Sequence, residues 1–297
     1  MEIYNPKDWF KAILNINKSD TLRQLWPIML GVGIFCLGIA YWEINYLQLH
    51  LQSNSWVKNI PVMHNLLGFA ISMLLVFRTN TAYDRWWEGR KQWGELVNAS
   101  RNLAMKLHAF LPEDNRHSRS FFRKTIPLYA KILKYHLRAD STRLMLDAGM
   151  DGLLARPGDI AKHQPNQLAR LMVLHISQLH KEGKISAEQW LILNNELTAF
   201  TNICGACERI KNTPIPYSYS SFIKKFIVIY VLTLPFGYVF SLGYYVALIV
   251  VFVFYVLMSL EIIAEEIEDP FGTDANDLPM EKMAENIRNH IEEILEA

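Results

Sequence analysis

Three stretches of the chain run without a charged residue, and their lengths decide the architecture. From Trp26 to Trp42 only apolar and small residues occur between Arg23 and Glu43. As a helix this run is about 26 Å long, close to the hydrocarbon thickness of a bilayer, with Trp26, Tyr41 and Trp42 where interfacial aromatic rings are expected. A second run, from Asn59 to Phe77, stops at Arg78 and spans about 28 Å. The third, from Phe226 to Leu260 between Lys225 and Glu261, measures about 52 Å as one helix, too long for a single crossing. Pro235-Phe236-Gly237 and Ser241-Leu242-Gly243 interrupt it, so the pattern predicts two helices joined by a turn within 235–243. Four membrane spans in two hairpins result. Soluble core helices rarely run this far without a charge. Nor does the first run read as a cleavable signal, since it starts late and no small-residue cleavage site follows.

Between the hairpins the pattern changes to a helical one. Trp86, Trp93, Leu96, Leu103, Leu107 and Phe110 recur at steps of three, four or seven, so the second span is expected to continue as one long helix to Phe110. Leu111-Pro112-Glu113-Asp114-Asn115 ends it. Further helices are expected over Ser118 to Arg138, near 167–182 and over 186–211, with residues 149–166 as the most loop-like stretch. After the fourth span, Pro270 to Pro279 reads as extended, and Met283, Ile287, Ile291 and Ile294 predict an amphipathic terminal helix. No stretch alternates like a strand for long, and no repeat occurs. The expected fold is therefore all-α, with four transmembrane helices and a large helical cytosolic domain. Its segments are 1–24 cytosolic, 25–77 spans one and two, 78–225 the cytosolic domain, 226–260 spans three and four, and 261–297 an acidic tail with a terminal helix.

Charge orients this plan. Lys7, Lys11, Lys18 and Arg23 precede span one, and Arg78, Arg85, Arg90, Lys91, Arg101 and Lys106 follow span two, whereas Glu43 to Lys58 holds one lysine. The positive-inside rule puts both termini and the middle region on the cytoplasmic side of the membrane. The full chain of 297 residues is otherwise near neutral, with 30 basic and 29 acidic residues, 51% apolar residues and a mean hydropathy of +0.06. That balance excludes a disordered chain and offers no electrostatic footprint for nucleic acid.

Composition offers little enzyme chemistry. Cys36, Cys204 and Cys207 make no disulfide framework. The CxxC spacing of Cys204 and Cys207 lacks a βαβ context or a second ligand pair, so these are read as small packing residues. Glu261, Glu265, Glu266, Glu268 and Asp269 follow the last span at helical spacing, without a histidine nearby in sequence. A metal-dependent membrane enzyme is the remote reading of that cluster; a solvated helix end, or ion pairs with the basic helix after span two, is the plainer one. The nine histidines are scattered, and only His64 lies in a span, where a hydrogen-bonded neutral ring is expected. Phosphate-binding loops and nucleophile elbows are absent from the sequence.

The informative element is span two. Phe69, Met73 and Phe77 lie at i, i+4 and i+8, one stripe on one face, which continues back to Asn65 and Pro61. Gly68, Ala70 and Ser72 are small enough to admit neighbouring helices. The stripe then runs into a polar segment richer than anchoring requires: Phe77-Arg-Thr-Asn-Thr-Ala-Tyr-Asp-Arg-Trp-Trp-Glu-Gly-Arg-Lys-Gln-Trp-Gly94.

Together with Gly205-Ala-Cys-Glu-Arg-Ile-Lys-Asn-Thr-Pro-Ile-Pro216 and Glu265-Glu-Ile-Glu-Asp-Pro-Phe-Gly-Thr-Asp-Ala-Asn-Asp-Leu-Pro279, this segment resembles the bacterial branch of the bestrophin family. The resemblance implies a homopentameric channel in a lipid bilayer, with no cofactor, passing small monovalent ions along a five-fold axis. It implies a hydrophobic neck at Phe69, Met73 and Phe77, with Asn65 at the outer entrance. Three apolar rings offer no ligands to replace a hydration shell and gate by dewetting. It also implies a cytosolic exit constriction. Ungapped counting places that ring at Glu188 and Gln189, where the family has an apolar residue; Ile185 and Ile192 are the neighbouring alternatives. Anions such as chloride are the expected cargo, while a ring of Glu188 carboxylates would favour cations. Animal members bind calcium in the acidic segment after the last span. Here Asp269, Asp274 and Asp277 are interrupted by Thr273 and Ala275, too few oxygens for that ion, so no metal is expected there and the segment is read as structural.

Overall fold

The computed structural model describes residues 20–48, 59–139 and 163–296. The basic residues before Arg23, Lys58, and the stretch read as loop up to residue 162 lie outside the described residues. Among the described residues every regular element is helical: α1 (Asp20–Trp42), α2 (Ile60–Phe110), α3 (Arg116–Arg138), α4 (Gln164–Lys181), α5 (Ala187–Asn212), α6 (Tyr217–Leu242), α7 (Val246–Glu268) and α8 (Met280–Glu296). The chain divides into two compact units, one comprising Glu2–Asp84 and Ile215–Glu268, the other Arg85–Pro214 and Asp269–Ala297.

In the first unit α1 packs along α7, and α7 along α6. Each helix buries a stripe at steps of three or four: Ile223, Ile227, Val231 and Leu234 on α6, and Val246, Val250, Phe254 and Leu257 on α7. The helical stretches Thr21–Leu47, Ile60–Phe110 and Tyr217–Glu268 are long and apolar enough to cross a membrane. The last of these contains the expected turn, at the C-terminal end of the 235–243 window. Pro235 and Gly237 lie inside α6, and the chain turns only at Gly243, whose φ of +52° suits glycine alone among the residues there. A proline removes one hydrogen bond, a loss that packed membrane helices tolerate. Gly237 serves packing instead: a Cβ there would sit 3.0 Å from Ile60 Cγ2 and 3.2 Å from His64 Nδ1.

In the second unit the core is built by Trp93, Leu96, Leu103 and Leu107 of α2, Phe122, Ile126 and Tyr129 of α3, Phe200 of α5, and Ile287 and Ile291 of α8. α8 lies on α3, α3 on α4, and α4 on α5. The buried Tyr129 hydroxyl donates to the Phe200 carbonyl at 2.9 Å. Asn115 caps α3 by accepting from the Ser118 amide, and Ser186 with Gln189 forms a reciprocal capping box at the start of α5.

Candidate ion pathway

The long second helix has two distinct faces within the first unit. Ile71, Leu75, Arg78 and Ala82 are buried on one side. Phe69, Met73 and Phe77 stand on the other, 70%, 49% and 55% exposed. Successive members of that stripe are about 6 Å apart along the axis. No charged group interrupts it, and the hydroxyls around it are turned inward on the helix: Ser72 donates to the Gly68 carbonyl at 2.7 Å and Thr81 to that of Phe77 at 2.9 Å. At the N-terminal end Asn65 is exposed and its Oδ1 accepts from the Tyr238 hydroxyl at 3.2 Å. His64, one residue earlier, is buried, with Nε2 3.1 Å from Thr233 Oγ1 and Nδ1 3.1 Å from the Ile60 carbonyl. Gly68 gives the Tyr230 hydroxyl its room, since a Cβ would lie 2.7 Å from it.

Just past the stripe, Arg78 turns back into the unit and pairs with α7. Its Nη2 lies 2.7 Å from Glu268, and its Nε 3.5 Å from Glu261. Glu268 also accepts from the Ile215 amide at 2.6 Å, and Lys224 pairs with Glu265 at 2.7 Å. Glu261, Glu265 and Glu268 of the acidic run after the last span are thus drawn into ion pairs with basic groups of α2 and α6.

At the start of α5, Glu188 is exposed and accepts from the Ser186 hydroxyl at 2.6 Å, a bond that holds its carboxyl below the usual range. Gln189 is spent on the helix cap. Ile185 is buried in the core, whereas Ile192, one turn beyond Glu188 on the same face, is 40% exposed. In the acidic segment, Asp277 Oδ2 accepts from the Asp274 amide at 2.6 Å, and Asp269 Oδ1 from the Phe271 amide at 3.4 Å. These carboxylates close their own turns. Cys204 and Cys207 are buried, and burial first of all pushes the Cys204 thiol up to about 12. One constellation escaped the sequence reading: His136, His163 and Glu208 converge in the second unit. Their separation along the chain leaves no spacing signal.

Comparison with known proteins decides the family. Residues 2–293 match the family model described as bacterial/fungal bestrophin protein. The chain belongs to the bestrophin family. Its relatives include a voltage-dependent anion channel-forming protein of Ralstonia nicotianae, 31% identical over 97% of this chain and 92% of that one. Another protein of that name, from Salmonella typhi, is 35% identical over 75% of this chain and 73% of its own length. Among solved structures, a bacterial bestrophin homologue from Klebsiella pneumoniae superposes with a TM-score of 0.77 and 29% identity, covering 92% of this chain and 99% of that one. A further membrane protein superposes with a TM-score of 0.79 and 28% identity, covering 92% and 98%. This bestrophin is a helical membrane protein of a channel family and not an enzyme.

Proposed function

We propose that this bestrophin assembles as a homopentamer in the bacterial inner membrane and passes small monovalent ions passively, anions such as chloride foremost. The observation that carries the reading is the exposed stripe Phe69, Met73 and Phe77, set opposite a buried face on one helix. Around a five-fold axis it makes three apolar rings, with Asn65 at the outer entrance. A constriction without polar ligands conducts only while wetted, so small displacements of the helix switch it. Phe ring edges carry partial positive charge and are compatible with a passing anion; the names of the relatives point the same way. In this reading four spans cross the bilayer, both termini are cytoplasmic, residues 78–225 form the cytosolic domain, and 261–297 form an acidic cytosolic segment with a terminal helix.

A second reading of selectivity rests on Glu188. Its carboxylate is exposed and held ionised at the start of α5. If that position and Gln189 ring the cytosolic exit, five carboxylates favour sodium or potassium; if the ring falls one turn on, at Ile192, the exit is apolar and anions pass. Purified protein in liposomes under a KCl gradient tests both. A reversal potential near that of chloride supports the anion reading, and one near that of potassium, moved by Glu188→Gln, supports the cation reading. Absence of salt-dependent flux, even with Phe69 and Phe77 changed to Ala, would overturn the channel reading.

A further inference from the structure

The second unit brings together three side chains that the ion pathway does not use. His136 lies in the last turn of α3, His163 is the N-cap of α4, and Glu208 stands on α5. The two imidazole Nε2 atoms are 2.6 and 2.5 Å from one carboxylate oxygen, Glu208 Oε1. Their ring centroids are 4.5 Å apart. The three side chains are 30%, 32% and 29% exposed, so solvent and a small ion reach them. Arg138, two residues past His136, turns its guanidinium away to the Gly272 carbonyl and to Glu281.

We propose that His136, His163 and Glu208 form a binding site for a divalent transition-metal ion of zinc type. Two imidazoles and one carboxylate are a borderline donor set that suits zinc and its first-row neighbours and serves calcium or magnesium poorly. Around a tetrahedral zinc the ligand atoms stand about 3.4 Å apart, so each imidazole Nε2 draws back from Glu208 Oε1 by less than an ångström to admit the ion. Water completes the coordination.

The proton balance is simple. His163 Nδ1 accepts from the Asn166 amide at 3.2 Å, so its neutral ring carries the proton on Nε2, donated to Glu208. Metal binding moves that proton to Nδ1, frees the Nε2 lone pair, and releases the cap bond from Asn166. His136 presents its Nε2 lone pair in the same way. The ion then ties the end of α3, the start of α4 and the C-terminal part of α5 to one centre, and by binding only the folded state it stabilises the unit.

The test uses the full-length protein in detergent, loaded with zinc and desalted. Wild type is expected to retain about one zinc per chain above background, to resist displacement by excess calcium, and to gain thermal stability from the metal. Cobalt in its place should give the intense visible bands of a four-coordinate ion. His136→Gln and Glu208→Gln are expected to lose that zinc and those bands. His163→Asn is the decisive variant, since asparagine still caps α4 but offers no imidazole. Loss of the metal in His163→Asn with unchanged helix content and elution volume supports the site. Equal zinc in wild type and His163→Asn, or no zinc retained by wild type, would overturn it.

Discussion

Arg78 and Glu261 form a buried ion pair between α2 and α7, 1% and 0% exposed, with Nε 3.5 Å from Oε1. Arg78 immediately follows Phe77, so the residue that anchors the helix adjoins the residue exposed on its other face. Removing one partner strands the other as a buried charge, at a cost of about 3–5 kcal/mol. Arg78→Ala should therefore lower the thermal unfolding temperature of the detergent-solubilised protein sharply. Changing Arg78 and Glu261 together to Met should recover much of the loss. Equal instability of the single and double variants would show that Glu268, the other partner of Arg78, carries the interaction.

The apolar stripe makes a prediction about flux. Phe69→Ala and Phe77→Ala remove the two rings of the stripe without touching the buried face, so each should raise ion flux in liposomes while leaving the unfolding free energy within ~1 kcal/mol of wild type. Met73→Asn, which adds an uncharged polar group that holds water, should raise it further. Unaltered flux in all three would place the constriction elsewhere.

Two glycines on α2 should respond with opposite signs. A Cβ on Gly89 would lie 3.1 Å from Pro270 Cγ and 3.2 Å from the Phe271 ring, which is itself buried. Gly89→Ala is expected to destabilise by ~1–3 kcal/mol through overpacking. At Gly94 the nearest atom is the mobile Arg90 Nη1 at 3.4 Å, and Gly94→Ala should stabilise by up to ~1 kcal/mol through helix propensity. Thermal melts of the two variants side by side check the pair.

Asp277 predicts a dependence on pH. It is 2% exposed, and burial outweighs the bond from the Asp274 amide to push its carboxyl up to about 6. Between the ordinary value of 3.8 and about 6 the folded chain holds a proton that the unfolded chain has released. Stability from this group is full below that window, falls as pH rises through it, and stays low above. Asp277→Asn keeps an acceptor for the Asp274 amide and should flatten the slope of unfolding temperature across the window. A slope identical to wild type would assign it to another group.

What the sequence made legible was periodic. The unbroken course of α2 from Ile60 to Phe110, the amphipathic α8 and the helices of the second unit follow from spacing and caps, because each is a local preference reinforced by one buried face. The turn before α7 falls at Gly243, the last of the breakers read in the sequence, and not at Pro235 or Gly237, which look like breakers until the close approach of Ile60 and His64 gives the second its reason. Ser186 and Gln189 carried a readable capping signature at the place where counting put an exit ring, and a local backbone role and a pore role draw on the same residues there. The triad of His136, His163 and Glu208 was invisible because three helices, not one spacing, bring it together.

The three native cysteines have a practical consequence. Cys36, Cys204 and Cys207 are 0%, 1% and 0% exposed, and burial keeps the Cys204 and Cys207 thiols protonated, hence slow toward alkylating reagents. The natural chain is thus already a silent background for thiol chemistry. A single cysteine introduced at Phe69, Met73, Phe77, Glu188 or Ile192 reports its own accessibility to maleimides or methanethiosulfonates, so the water-filled path can be mapped residue by residue in otherwise wild-type protein.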